Sequence, residues 1–343
     1  MSGDPDSDPE GEDEPFGLRI VTLSPEEADG RIDKALAAKL PEFSRARLQA
    51  LIADGRVTRD GAALTGSTKA APGDYRLEIP APTPADPRPE AIPLVVLFED
   101  SHLIVIDKPP GMAVHPAPGS ARGTLVNALL HHCGDSLSGI GGVARPGIVH
   151  HIDKATSGVL VAAKTDAAHQ GLSALFAAHD IDRVYIAFTR GAPQPARGSI
   201  NAAIARSTSD RKKMAIAKTG GRHAITHYVV EQTYGPAGKP LAARLACRLE
   251  TGRTHQIRVH LASKGAPCLG DPVYGSSAPA AAVRAVMEIA QLSRQALHAA
   301  VLGFRHPITG EAIRCESPLP PDMAALEQGL AELWTRSSSA SYR

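Results

Sequence analysis

The chain has 343 residues, 43% of them hydrophobic and 21% charged, with a formal net charge of +1; this is too long for one ordinary domain and has the balance of a globular protein. It contains no run of 18 apolar residues, and it begins acidic where an export signal would be basic and then apolar, which argues against membrane spanning and export and for a cytoplasmic protein. The four cysteines, Cys133, Cys247, Cys268 and Cys315, lack C-x-x-C spacing, which argues against a zinc ribbon and against a disulfide framework.

Met1 to Glu14 carries seven acids and no base, so residues 1–17 read as a disordered acidic tail. Beyond Glu14, 37 basic side chains stand against 29 acidic ones, an excess that permits nucleic-acid binding without requiring it. From Arg31, RIDKALAAKL sets Ile32, Ala35, Leu36 and Leu40 at helical spacing, and Pro41 stops it. Ser44 is the expected N-cap of a second helix, SRARLQALIADG. Its stripe is Leu48, Leu51 and Ile52, and Gly55 suits a left-handed end. Two strands follow, RVTRDGAAL turning at Asp60-Gly61, and DYRLEIP with Tyr75, Leu77 and Ile79 on one face. Arg45, Arg47, Arg56 and Arg59 cluster here, and charge alone fits a solvated face as well as a binding one.

Six prolines between Pro80 and Pro93 make residues 81–92 a semi-rigid spacer between domains. The chain then becomes strand-rich. VVLFED, HLIVIDK, GVLVAAK, RVYIAF, ITHYVVE, ARLACRLE and QIRVHLA are candidate strands; TLVNALLHH, AAHQGLSALFAAH and AAAVRAVMEIAQL are candidate helices. Strands grouped without regular βα alternation imply an α+β domain on a mostly antiparallel sheet over residues 93–325, followed by a C-terminal helix or tail at 326–343.

Within GIVHHIDKATSGVLVAAKT, Asp153 sits between two runs that read as buried strands, so its carboxylate must be solvated, paired or used. His150 and His151 precede it, and His131-His132-Cys133 adds further potential ligands. None has H-E-x-x-H or paired-cysteine spacing, and neighbours in a strand face opposite ways, so no metal is expected. The densest positive run is RSTSDRKKMAIAKTGGRHAITHY, whose small residues permit a loop.

Five ordered blocks, IDKPPGMAVHP, RPGIVHHIDKATSGVLVAAKT, RVYIAF, GRTHQIRVHLASKGAPCLGDPVYG and LHAAVLGFRHP, resemble the RluA-type RNA pseudouridine synthases, including the large-subunit ribosomal enzymes of the RluD kind. Residues 18–80 resemble the S4 RNA-binding domain. The resemblance implies isomerisation of uridine by breaking its N1–C1′ bond, turning the base and rejoining it through C5, with no cofactor. It implies that Asp153 is the catalytic carboxylate, Arg258 its ionic partner and Tyr185 the residue that stacks on the base. It also implies RNA contacts from Arg45, Arg47 and Lys69, from Arg206, Arg211, Lys212 and Lys213, and from Arg253.

The family has Arg and Leu where this chain has His151 and Ile152. The swap to Ile conserves volume; His151 is shorter, and is expected to fill the gap left by the flipped base through stacking. The implied partner is large-subunit ribosomal RNA, free or in pre-ribosomal particles, bound by a monomer. Competing readings are a transfer-RNA isomerase, a non-catalytic RNA-binding or ribosome-assembly protein, and a metal-dependent hydrolase.

Overall fold

The computed structural model describes residues 17–40, 43, 45–79, 87–117, 120–134, 147–208, 210, 213–217, 219–236, 238–275 and 277–340, excepting the side chains of 46, 47 and 335–340. The acidic tail to residue 16, the Ser44 cap, the Arg47 side chain, Arg211, Lys212 and residues 80–86 of the spacer lie outside these. The chain divides into two compact units, residues 1–84 and 85–343.

The first unit runs β1 (Gly17–Leu23), α1 (Ile32–Lys39), α2 (Arg45–Ala53), β2 (Val57–Arg59), β3 (Ala62–Ala63) and β4 (Gly73–Ile79), with sheet order β1-β4-β2-β3. The helix stripes meet the inward face of the sheet: Ile32, Leu36, Leu48, Leu51 and Ile52 pack with Tyr75 and Leu77. Helix α2 ends as its sequence predicts. Gly55 has φ +70°, and the N–H groups of Gly55 and Arg56 donate to Ile52 and Leu51 carbonyls, a Schellman closure. Asp60 and Gly61, at φ +50° and +78°, make the expected tight hairpin. Strand β1 was not among the expected elements, because only Val21 and Leu23 of its residues are buried; it exists by pairing with β4.

The second unit contains β5 (Val95–Glu99), β6 (Leu103–Lys108), α3 (Leu125–Cys133), β7 (Ser157–Ala163), α4 (Asp166–Ala177), β8 (Asp182–Arg190), β9 (Arg197–Asn201), β10 (Ile204–Arg206), β11 (Met214–Ile216), β12 (Ile225–Tyr234), β13 (Ala242–Leu249), α5 (Gln256–Ser263), α6 (Ala281–Ile289), β14 (Leu297–Arg305), β15 (Ala312–Glu316) and α7 (Pro321–Ala340). Its sheet runs β5-β6-β7-β14-β8-β13-β12-β9, with β15 on β14. Every pairing is antiparallel except β7 with β14, as the α+β expectation required. The central strands are covered on both faces, so β7 is buried along its whole length. One face packs on α3 and α5 (Leu125, Leu129, Ile257, Leu261), and α7 contributes Met323, Leu326 and Leu330 to a further core cluster. Among the described residues no helix is long and apolar enough to cross a membrane, and the four cysteines are free thiols.

Three expectations change. QIRVHLA is the helix α5, not a strand. Its alternation of Ile257, Val259 and Leu261 suggested period two, but every residue from Gln256 to Leu261 is buried, so both faces are covered and alternation carries no information. The run before Asp153 is not a strand either: only Ile148 makes a bridge, to Ala162, and the backbone then leaves the sheet. The basic stretch from Arg206 is not simply a loop, since β11 lies within it and pairs back onto β10, which ends at Arg206.

Candidate active site

Asp153 stands in the connection entering β7, and its neighbours are pinned through their main chain. The Thr156 N–H donates to the Asp153 carbonyl at 2.9 Å, and the Gly111 N–H donates to the Lys154 carbonyl at 2.8 Å. Arg294 Nη1 donates to the Ala155 carbonyl at 3.0 Å while Nε and Nη2 grip Asp322 at the start of α7. Lys108 is fully buried; its Nζ donates to the carbonyls of Pro109, Met112 and Lys154 at 2.9, 2.9 and 3.2 Å. Burial pulls the Lys108 pKa down to about 7. Three carbonyl acceptors nonetheless match the three N–H groups of the ammonium form, which makes Lys108 a strut of the loop. Two glycines bracket the connection. Gly147 has φ +50° and Gly158 φ +115°, and a Cβ on them would stand 1.8 Å from the Ala163 carbonyl oxygen and 2.1 Å from that of Ala299.

The Asp153 carboxylate is partly open, its side chain 21% exposed. Oδ2 accepts from Arg258 Nη1 at 2.8 Å. Arg258 projects from α5 and is itself buried; its Nε and Nη2 donate to Oδ2 and Oδ1 of Asp271 at 2.8 and 2.9 Å. Asp271 is sealed from water and also accepts from the N–H groups of Val273 and Tyr274. Burial opposes the Arg258 charge, but the hydrogen bonds and charges of Asp271 and Asp153 more than offset it, holding the guanidinium firmly protonated. By its sequence alone, Gly270-Asp271-Pro272 reads as a rigid structural corner. The signal for its role was its place in the same block as Arg258, Gly270-Asp271-Pro272.

His255 also faces the carboxylate: its Nε2 is 3.9 Å from Asp153 Oδ1 and its Nδ1 is 2.8 Å from the Tyr274 hydroxyl. Neither residue was singled out in the sequence. Gln256 locks the turn between them and β12, accepting through Oε1 from Thr251 Oγ1 and the Arg253 N–H and donating through Nε2 to the Ile225 carbonyl and Thr226 Oγ1.

Tyr185 lies on β8, 7% exposed, within the core cluster that also holds Ile152 and Ile257. Burial raises the phenol pKa and Asp153 raises it further against the opposing effect of Arg183, so the group is a neutral phenol at neutral pH. His151 is exposed and its ring packs against His115, centroids 4.9 Å apart. His150 turns away: it stacks on Phe176 at 4.6 Å and accepts from the Val161 N–H. The two histidines therefore diverge as expected, although not in a strand, and among the described residues no group of three metal-ligating side chains assembles.

The outlying basic candidates each have their own local setting. Arg45, 54% exposed, is bound to buried Asp33, as are Arg31 and Gln49, so it has a structural partner; Lys69 is exposed. Arg206 is exposed at the end of β10, Lys213 lies 3.8 Å from Asp210, and Arg253 Nε donates to the His223 carbonyl.

Residues 102–263, which include Asp153, Tyr185 and Arg258, match the family model described as RNA pseudouridylate synthase. The chain is 50% identical over 310 residues to the ribosomal large subunit pseudouridine synthase D of Zymomonas mobilis, covering 89% of this chain and 95% of that one. It is 42% identical over 334 residues to the protein of the same name from Nitrosomonas europaea, covering 97% and 93%. Among solved structures, human RNA pseudouridylate synthase domain containing 4 superposes with a TM-score of 0.52 at 24% identity, covering 69% of this chain and 93% of that one, a likeness of fold.

Proposed function

Because the chain belongs to the RNA pseudouridylate synthase family and is an RNA uridine-to-pseudouridine isomerase, we propose that it modifies large-subunit ribosomal RNA and that Asp153 is the carboxylate that acts at the ribose. The substrate reading is supported by the names of relatives matched along nearly their whole length. The site reading rests on one observation: a half-open carboxylate, in a loop whose Asp153, Lys154 and Ala155 carbonyls are tied down, is paired to a buried arginine that a second, sealed carboxylate orients.

In this reading Arg258 holds Asp153 in place through the hydrogen bond and ion pair at Oδ2. With Oδ2 held by Arg258, Oδ1 is the oxygen directed at the sugar. It either bonds to C1′ as the N1–C1′ bond breaks, the pair going to N1 of the uracil, or takes the proton from C2′. The freed uracil anion then turns so that C5 bonds to C1′, displacing the Asp153 carboxylate in the first route or with the proton returned to C2′ in the second; N1 takes up a proton and the C5 proton leaves to solvent. The turned base must first be extruded from its stack, which costs on the order of a few kcal/mol. Tyr185 supplies an aromatic face beside the carboxylate, and His151 with His115 an imidazole pair at the mouth that fills the vacated space. The first unit would hold RNA through Lys69, Arg45 and Arg47 in the manner of an S4 domain, while Arg206, Arg211, Lys212, Lys213 and Arg253 engage phosphates beside the site. The protein would act as a monomer, and ribosomal RNA or its precursor particles locate the work in the cytoplasm.

The test is tritium release from unmodified ribosomal RNA labelled at C5 of uridine. Wild type releases label and Asp153→Asn does not while still binding the RNA. Release by Asp153→Asn at the wild-type rate would remove Asp153 from the chemistry, and release from transfer RNA alone would reassign the substrate.

A further inference from the structure

The Asp153 carboxylate has a second neighbour that the pairing with Arg258 leaves unexplained. His255 precedes α5 in a left-handed conformation, φ +56° and ψ +17°, and its side chain caps no helix N–H. Such a backbone is unfavourable for a non-glycine residue and persists where surroundings impose it. Here the imposed conformation places the ring between Asp153 and Tyr274, with Nε2 3.9 Å from Oδ1 and Nδ1 2.8 Å from the phenol oxygen.

The tautomer follows from the hydrogen bonds. The Tyr274 oxygen already accepts the Met214 N–H at 2.9 Å, so its own proton is free to go to His255 Nδ1, and Nε2 then carries the ring hydrogen. Burial lowers the His255 pKa and Arg258 lowers it further, against the opposing charges of Asp153 and Asp271, which keeps the ring neutral and this tautomer in place at neutral pH. The donor at Nε2 is aimed at the reacting side of the carboxylate yet is too far from Oδ1 for a hydrogen bond. A group of the substrate fits between them.

We propose that His255 Nε2–H donates to the 2′-hydroxyl of the target nucleotide, so that His255 is a specificity-determining residue that reads ribose against deoxyribose at the reacting sugar. The inference rests on Asp153 acting at the ribose. When Oδ1 approaches C1′ or C2′ to the ~3 Å of a near-attack contact, the hydroxyl on C2′ is on the same or the adjacent carbon. A donor 3.9 Å from Oδ1 can then reach that hydroxyl while Oδ1 keeps its own approach. The hydroxyl is the feature that separates RNA from DNA at a given site. Tyr274 is a positioning residue, acting through the tautomer it fixes, and Met214 on β11 ties that phenol to the basic hairpin.

The experiment compares C5-labelled ribosomal RNA transcripts in which every uridine carries, or lacks, the 2′-hydroxyl, with wild type, His255→Ala, His255→Gln and Tyr274→Phe. The quantity read is the ribo-to-deoxy rate ratio, in which changes of RNA shape, folding or general activity cancel between proteins. The ratio is expected to fall on the order of tenfold in His255→Ala, less in Tyr274→Phe, and to be partly restored in His255→Gln, which retains a side-chain N–H. Ratios equal to wild type, even with both rates reduced, would overturn the proposal. If the deoxy transcript is not turned over by wild type, the same ratio is read from equilibrium binding, with the same two outcomes. Failure of wild type to release label from the ribo transcript would instead count against the proposed function, and the binding ratio would still decide the role of His255.

Discussion

Arg258 meets Asp271 edge to edge, Nε and Nη2 at 2.8 and 2.9 Å from its two oxygens, and this fixes the direction in which Nη1 reaches Asp153. The sealed acid is therefore an orienting group. Asp271→Asn places an amide N–H₂ against a guanidinium that can only donate, so it breaks the fork while leaving Asp153 intact. Breaking a buried pair costs about 3–5 kcal/mol, so the melting temperature should drop by roughly 10 °C, and tritium release should slow at least tenfold. A variant that melts and turns over like wild type would show that Asp153 alone orients Arg258.

In the first unit, Asp33 is the acid that water cannot reach, and it gathers Gln49, Arg45 and Arg31. Burial favours its neutral form, but these hydrogen bonds and charges outweigh burial and hold the folded carboxyl far below its ordinary value. A depressed folded pKa means the stabilisation is complete above the unfolded value of about 3.9 and is lost as pH falls toward the folded one. Hydrogen-exchange protection of α1 and α2 should be flat from pH 7 to 5 and decline below 4. In Asp33→Asn it should be lower by about 2 kcal/mol at pH 6 and insensitive to acid; an unchanged acid limb would refute the assignment.

Gly158 is the residue at which the connection carrying Asp153 joins β14, and its Cβ would overlap the Ala299 carbonyl at an unfavourable φ. Gly158→Ala should destabilise the second unit by about 3 kcal/mol or more, and the single tryptophan of the chain, Trp334, reports its melting. A melt within 1 °C of wild type, about the precision of the method, would mean β7 and β14 separate without cost.

His151 is exposed at the mouth of the site and packed on His115. If its task is to fill the space left by the base, His151→Arg supplies a longer, permanently charged filler and should hold RNA at least as tightly as wild type. Titration of RNA binding at constant salt decides this: weaker binding by the arginine variant would show that flipping depends on other groups.

Arg206 lies exposed on β10. A side chain that meets a phosphate releases counterions on binding, so Arg206→Ala should reduce the slope of log affinity against log salt by roughly 0.7–0.9 with little effect on the rate at saturating RNA. An unaltered slope would make Arg206 part of a solvated face.

The helix stripes of α1 and α2, the Gly55 cap and the Asp60-Gly61 turn could be read directly, because each depends on a few adjacent residues obeying local geometry. Asp153, Tyr185 and Arg258 were singled out through ordered blocks, with no local rule behind them, and the pairing of Asp153 with Arg258 across 105 positions is what folding contributes. α5 was misread because a segment buried on every side has no exposed face to give it a period. β1 was missed because its stability comes from its partner rather than from its own residues. Asp271, His255, Tyr274 and Lys108 owe their roles to burial and to neighbours distant in the chain. The chain order carries residue types and local turns; the dry environment that turns an aspartate, an arginine and a second aspartate into one oriented charge array arises only when the sheet, α5 and the loop at Asp271 close on each other.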